Sequence, residues 1–359
     1  MKKSIGICIS IFSLLAHRAS AHVAYVTPPD TLVRTAGIDF HFLLSPLGNI
    51  NYGILLVSFL LLIGSAYYLG HHIPLFIQEF AFIKKRLQTY SSSVPWILRL
   101  GLGIAVLGAG LHGVLISPVA PTISAIAAWE IIAGFSLLVG FLVTPSLLAI
   151  VGFYIAGALN HGYSLGNLEI VGTAVALFLL ASSRPGFDDI VGIPMPFRNT
   201  YEKVAPLVLR ITLGGTFIFL AFYEKIFNPH YFGFVVDNYN LQSLIHVSPA
   251  MWTLSVGVIE LIIGLAILLG FKTRISSAIA SIIFICTYFF FKEAVYSHVA
   301  IFASLSALFI LGGGMWSIDE HLERKNIVQK RITAPRTRAT VSKISSKKTT
   351  VRRVARKPI

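Results

Sequence analysis

Long apolar runs, each broken by a few polar residues, dominate this chain. None alternates with the period of two expected of a half-buried strand, so the pattern predicts helices. A lone run covers Tyr52 to Gly70 and is followed by Lys84-Lys85-Arg86. Four runs then occupy roughly 96–116, 122–143, 146–160 and 168–182, and four more roughly 205–223, 249–270, 275–291 and 298–315. Most are long enough, at about 17–25 residues, to cross a bilayer as helices.

The two sets of four align with each other. Pro95 to Pro118 matches Pro206 to Pro229 without a gap, so that Arg99 meets Arg210 and Gly103 meets Gly214. Glu130, Gly134 and Gly140-Phe141 repeat the spacing of Glu260, Gly264 and Gly270-Phe271. Asn167 then falls opposite His298, and Asp188 opposite Asp319. Shared Gly, Pro and charged positions at fixed spacing indicate a tandem duplication. Only the second copy carries Glu224-Lys225; Gly113-Val114 stand in the first.

Composition agrees with a membrane chain. Hydrophobic residues make up 55%, charged residues 12%, and mean hydropathy is +0.77. Backbone polar groups find no partners in lipid, so spanning segments close their hydrogen bonds internally. The expected fold is all-α: nine transmembrane helices after a cleaved signal peptide, with two tandem four-helix bundles. The divisions are 1–21 (signal), 22–51 (exported segment), 52–94 (lone helix and loop), 95–190 and 205–319 (the repeats) and 320–359 (a basic, disordered tail). Lys2-Lys3, an apolar stretch and Ala19-Ser20-Ala21 make the signal; Arg18 departs from the usual pattern and leaves an uncleaved anchor as the alternative.

Net charge is +14, but Arg324 to Ile359 holds 13 Lys and Arg and no acid. Such a tail suits anionic lipid headgroups; nucleic acid is disfavoured because no aromatics are interleaved for stacking. Counting spans puts residue 22 outside and the C-terminus inside, with Lys84-Lys85-Arg86, Arg184, Arg198, Lys203, Lys272 and Arg274 in inner loops. The location expected is a prokaryotic plasma membrane. Cys8 lies in the leader, so Cys286 has no internal disulfide partner in a processed chain.

Candidate chemistry rests on intramembrane polar residues. Glu130 and Glu260 are mid-span, where a carboxyl costs about 3 kcal/mol or more and faces the bundle. Each reads as a proton- or quinol-handling group or as a packing clamp between helices. Arg99 and Arg210 read as snorkelling residues or as partners in ion pairs. With Glu224, Lys225 and His298, residues Arg210 and Glu260 form the candidate polar pocket; Arg99, Glu130 and Asn167 are the first-copy equivalents. No metal motif is present. His22, once its amino group is free, is a chelating pair suited to Cu(II), with His41, His230 and His246 as further ligands, but no ligand spacing supports it.

The second copy resembles the DoxX family of small four-helix membrane proteins. The resemblance lies in Arg210 and Gly214, Glu224-Lys225, Glu260 with GFKTR, and His298 followed by the GGG-x-W-S-I-D exit. The first copy resembles a degenerate DoxX unit. Some relatives of the DoxD type are membrane subunits of thiosulfate:quinone oxidoreductase. The resemblance thus implies a quinone-interacting subunit with a redox partner protein. A non-enzymatic scaffold, or a solute or ion permease built from parallel repeats, is the other class.

Overall fold

The computed structural model describes residues 22–50, 52–54, 57–58, 61, 64–65, 74–116, 120–161, 164–182, 184–193 and 201–333. Residues 1–21, expected to be a signal peptide, most of the lone run at 52–70 and the tail beyond 333 lie outside the described residues. Among the described residues the protein is helical, apart from one isolated bridge between Val114 and Pro121.

Eight helices carry the fold: α1 (Val94–Leu111), α2 (Ser124–Val139), α3 (Val143–His161), α4 (Leu168–Leu180), α5 (Ala205–Leu220), α6 (Pro249–Leu269), α7 (Thr273–Phe291) and α8 (Val295–Leu311). Local chemistry fixes several ends. Ser248 caps α6 by accepting from the Met251 N–H, Pro249 opens its first turn, and Gly270 closes it at φ +66°. Gly140 closes α2 in the same way at φ +73°. Four helices, within Ser91–Leu111, Glu202–Phe227, Pro249–Leu269 and Thr273–Phe291, are long and apolar enough to cross a membrane; the other four are shorter apolar helices. Only 22% and 17% of the apolar stretches of α6 and α7 is buried within the protein. Their exposed side chains, Ile282 and Phe289 among them, are large and apolar, the surface that lipid covers.

Within each set of four, the first and second helices touch most closely through glycine. A Cβ at Gly134 would press on the backbone of Gly103 and Leu107; one at Gly264 would press on the backbone of Gly214 and Ile218. The close approach buries Leu98, Leu102 and Leu137 on one side and Leu209, Leu213 and Ile267 on the other. Both carboxyl-bearing helices therefore sit against their neighbours at backbone contact distance.

The expectation of two separate bundles meets a different packing. The fourth helix of each set lies mainly on the first helix of the other: α8 on α1, and α4 on α5. A Cβ at Gly101 would overlap Ala303, and one at Gly172 would overlap Thr212. Small residues permit these crossings, so one continuous core forms across both sets.

Two further departures matter. Beyond α5 the chain widens into a π-helical turn, Ala221–Phe227, and then a helix, Pro229–Asn238. The sequence predicts disorder after 320, yet Ile318–Thr333 is a helix; Asp319 and Glu320 in its first turn suit the helix dipole. The chain divides into a main unit ending at His321 and a second beginning at Leu322.

Candidate functional site

The polar residues separate to opposite ends of the helices. Arg210 is not part of a pocket with Glu260. Its guanidinium donates to the carbonyl oxygens of Gly313 (2.6 Å), Met315 (3.1 Å), Leu268 (3.2 Å) and Trp316 (3.3 Å). It is 2% exposed and satisfies helix-terminal carbonyls, neither snorkelling nor pairing with Glu260. Arg99 does similar work, donating to the Pro185 carbonyl beside Gly140. At the same end Asp319 accepts from the Lys272 and Thr273 N–H groups, and Asp188 from those of Leu142 and Val143. These are structural staples.

The other end carries the chemistry. An α-helix turns about 100° per residue, so consecutive side chains do not share a face. The wider π-turn is where functional side chains are often gathered, and here it buries both Glu224 (1% exposed) and Lys225 (5%). Lys225 Nζ lies 2.5 Å from Glu224 Oε2 and 3.0 Å from Glu260 Oε2. The second contact is an ion pair without hydrogen-bond alignment. Lys225 also lies 5.8 Å from the centroid of the Phe232 ring.

His298 stands nearby at the start of α8. Its Nδ1 is 2.9 Å from Ser297 Oγ, and its Nε2 is 3.4 Å from Glu293 Oε2. Burial and the Glu224 carboxylate push the Glu293 carboxyl up to about 7, so it exchanges protons near neutrality. Asn167, placed opposite His298 by sequence, donates to the Tyr25 hydroxyl at 2.9 Å, while the Tyr25 ring meets His298 edge-on at 5.7 Å. Glu169 extends the buried polar set, accepting from Thr216 at 3.0 Å and Asn167 at 3.4 Å.

Glu130 keeps different company. Its Oε1 accepts the Ile116 N–H at 2.8 Å, and its buried Oε2 has no hydrogen-bond partner among the described residues. The loop after α1 folds back at the place where the second set has its π-turn.

His22 does not join His41, His230 and His246. Its ring lies 5.3 Å from that of His298, whereas His230 bonds Asp39 at 3.0 Å and meets the Phe42 ring at a tilt, centroids 4.3 Å apart. Among the described residues no three His, Cys, Asp or Glu side chains are arranged to hold a metal ion. A groove of about 530 Å³ opens between residues 34–39 and the helix Pro229–Asn238, away from the Glu224–Lys225–Glu260 cluster. Glu169, Glu293 and the segment from Val23 to Tyr25 escaped sequence reasoning. The two acids had a usable signal, since each flanks or enters an apolar run; the segment had none.

A model of the DoxX family matches residues 205–293. No match was found among curated proteins or solved structures. The match takes in α5, the π-turn, α6, α7 and Glu293, and hence the whole Lys225 cluster. Residues 205–293 are thus similar to the DoxX family, and with the long apolar helices they make this a multi-pass integral membrane protein.

Proposed function

We propose that the Glu224–Lys225–Glu260 cluster, with Glu293 and His298, handles protons for a quinone-type ligand in a membrane redox complex. The observation that carries this reading is the excess of carboxylates: Glu224 and Glu260 share one lysine, and Glu293 lies against the neighbouring His298. Buried acids that outnumber the cations near them take up and release protons near neutral pH. A quinol hydroxyl that sheds its proton as electrons pass to a partner protein needs such an acceptor. His298 is the neighbouring imidazole through which that proton reaches Glu293. The carboxylates are thus the proton acceptors, and Lys225 fixes their positions.

The remaining parts of the proposal concern the scaffold. The two sets of four helices are read as a duplication, 95–190 and 205–319, the first having lost its ionic residues. Reciprocity supports it. Gly101 meets Ala303 while their counterparts Thr212 and Gly172 meet each other, and Thr173 bonds its own counterpart Ser304 at 2.7 Å. A residue meets its own equivalent only near a two-fold axis. The Arg210 end carries Arg184, Lys272 and Arg274 and is read as cytoplasmic, which puts the Lys225 cluster near the outer face of a prokaryotic plasma membrane. The tail then meets anionic lipid headgroups.

The test is extraction of lipid from the purified protein, followed by chromatography for quinone, on wild type and Glu260→Gln. Retained quinone in the wild type and a clear loss in the variant are expected. Quinone absent from both, with proton-coupled flux in proteoliposomes, would transfer the cluster to a permease.

A further inference from the structure

The segment from His22 to Tyr25 enters as a single 3-10 turn and lodges among the polar residues. Val23 is 6% exposed, and its N–H donates to Glu224 Oε1 at 2.7 Å. The His22 ring sits between Tyr25, Phe284 and His298, with centroids 5.1, 6.2 and 5.3 Å away. Its Nε2 is buried, with no hydrogen-bond partner among the described residues. Burial, with His298 and Lys225 close by, pushes the imidazole well below its ordinary range, so the ring stays neutral and brings no charge to Glu224. Ala19-Ser20-Ala21, the small-residue spacing of a signal-peptidase site, ends immediately before this half-buried residue.

We propose that the chain is cut between Ala21 and His22 and that the released α-ammonium group becomes a fixed cation of the cluster, paired with Glu224. In the uncut chain the nitrogen of residue 22 is a neutral amide, and the leader stays tethered to a half-buried residue. Cutting removes that constraint and supplies positive charge one residue from a nitrogen that already bonds Glu224. The carboxylate surplus around Lys225 falls accordingly, and adjacent carboxylates favour the charged form of the amine. Maturation thus completes the site as well as freeing the chain from its leader. This holds whatever chemistry the cluster performs, because it concerns charge balance alone.

Intact-mass measurement of the protein purified from membranes is the first arm. A chain beginning at His22 is expected, and a chain beginning at any other residue overturns the proposal. The second arm inserts one glycine before His22, with the mass checked for a start at that glycine, and so displaces the amine by a residue. A fall in apparent Tm of roughly 2 to 4 °C is expected, and that penalty should vanish when the insertion is combined with Glu224→Gln. Equal penalties with and without Glu224, or none in either background, overturn the pairing even if the cut site is right.

Discussion

Glu130 and Glu260 occupy the same place in two similar helix pairs, against the same glycine contacts, yet their surroundings differ. Glu130 is met by a backbone N–H from Ile116, delivered by a loop that turns back after α1. Glu260 is met by the ammonium of Lys225, delivered by a π-turn that lengthens α5. A backbone donor can satisfy one oxygen but brings no net charge and cannot move far. A lysine shared with Glu224 holds two carboxylates in a low-dielectric setting, where the loss of one partner leaves the others exposed to a large penalty. One mid-helix carboxyl therefore serves as a packing clamp and the other belongs to an ionic cluster. The cause lies outside their own helices, in the loop that leaves α1 and the π-turn that leaves α5.

The strongest challenge to this contrast is Lys225→Met. It takes from Glu260 its lysine and from Glu224 its nearest cation and should cost about 3–5 kcal/mol, seen as loss of monodisperse protein in detergent; adding Glu224→Gln should recover part of it. Next come Gly134→Leu and Gly264→Leu, which should each cost about 1–3 kcal/mol through overpacking. Similar penalties in thermal melts would confirm that the two clamps share a geometry, and a marked difference would separate them. Glu130→Gln should then change stability by less than about 1 kcal/mol, since an amide oxygen still accepts from Ile116.

The subtlest test concerns pH. The Glu293 carboxyl, raised from 4.5 to about 7 by burial and Glu224, binds its proton more tightly in the folded protein than in the unfolded one. Its contribution to stability is full below pH 4.5 and is lost as pH rises through about 7. Glu293→Gln should flatten that part of the pH–Tm profile, while Glu130→Gln leaves it in place. An unchanged slope in Glu293→Gln would remove Glu293 from the proton path.

The helices, their order and the placement of both carboxyls could be read from the chain, because apolar runs and spaced glycines are local signals. The identity of Glu260's partner could not. Arg210 looked eligible on charge, but a guanidinium one turn inside a helix end is drawn to the carbonyls of Gly313 and Leu268, which have few other donors. Lys225 reaches Glu260 only because Ala221–Phe227 opens into a π-turn, and apolar periodicity does not announce such a turn. The exchange of fourth helices was equally hidden: Gly101 and Gly172 are ordinary small residues until their partners on α8 and α5 are known.

The hydrogen bond between Thr173 and Ser304 has a consequence for assembly. Two separate four-helix chains joined about such an axis would form a dimer whose occupancy depends on how densely the membrane is populated. Fusion into one chain makes that encounter intramolecular, so the pairing persists at any dilution. It also frees the halves from being identical, and a fused pair can hold a single charged centre where a symmetric dimer would be obliged to bury two.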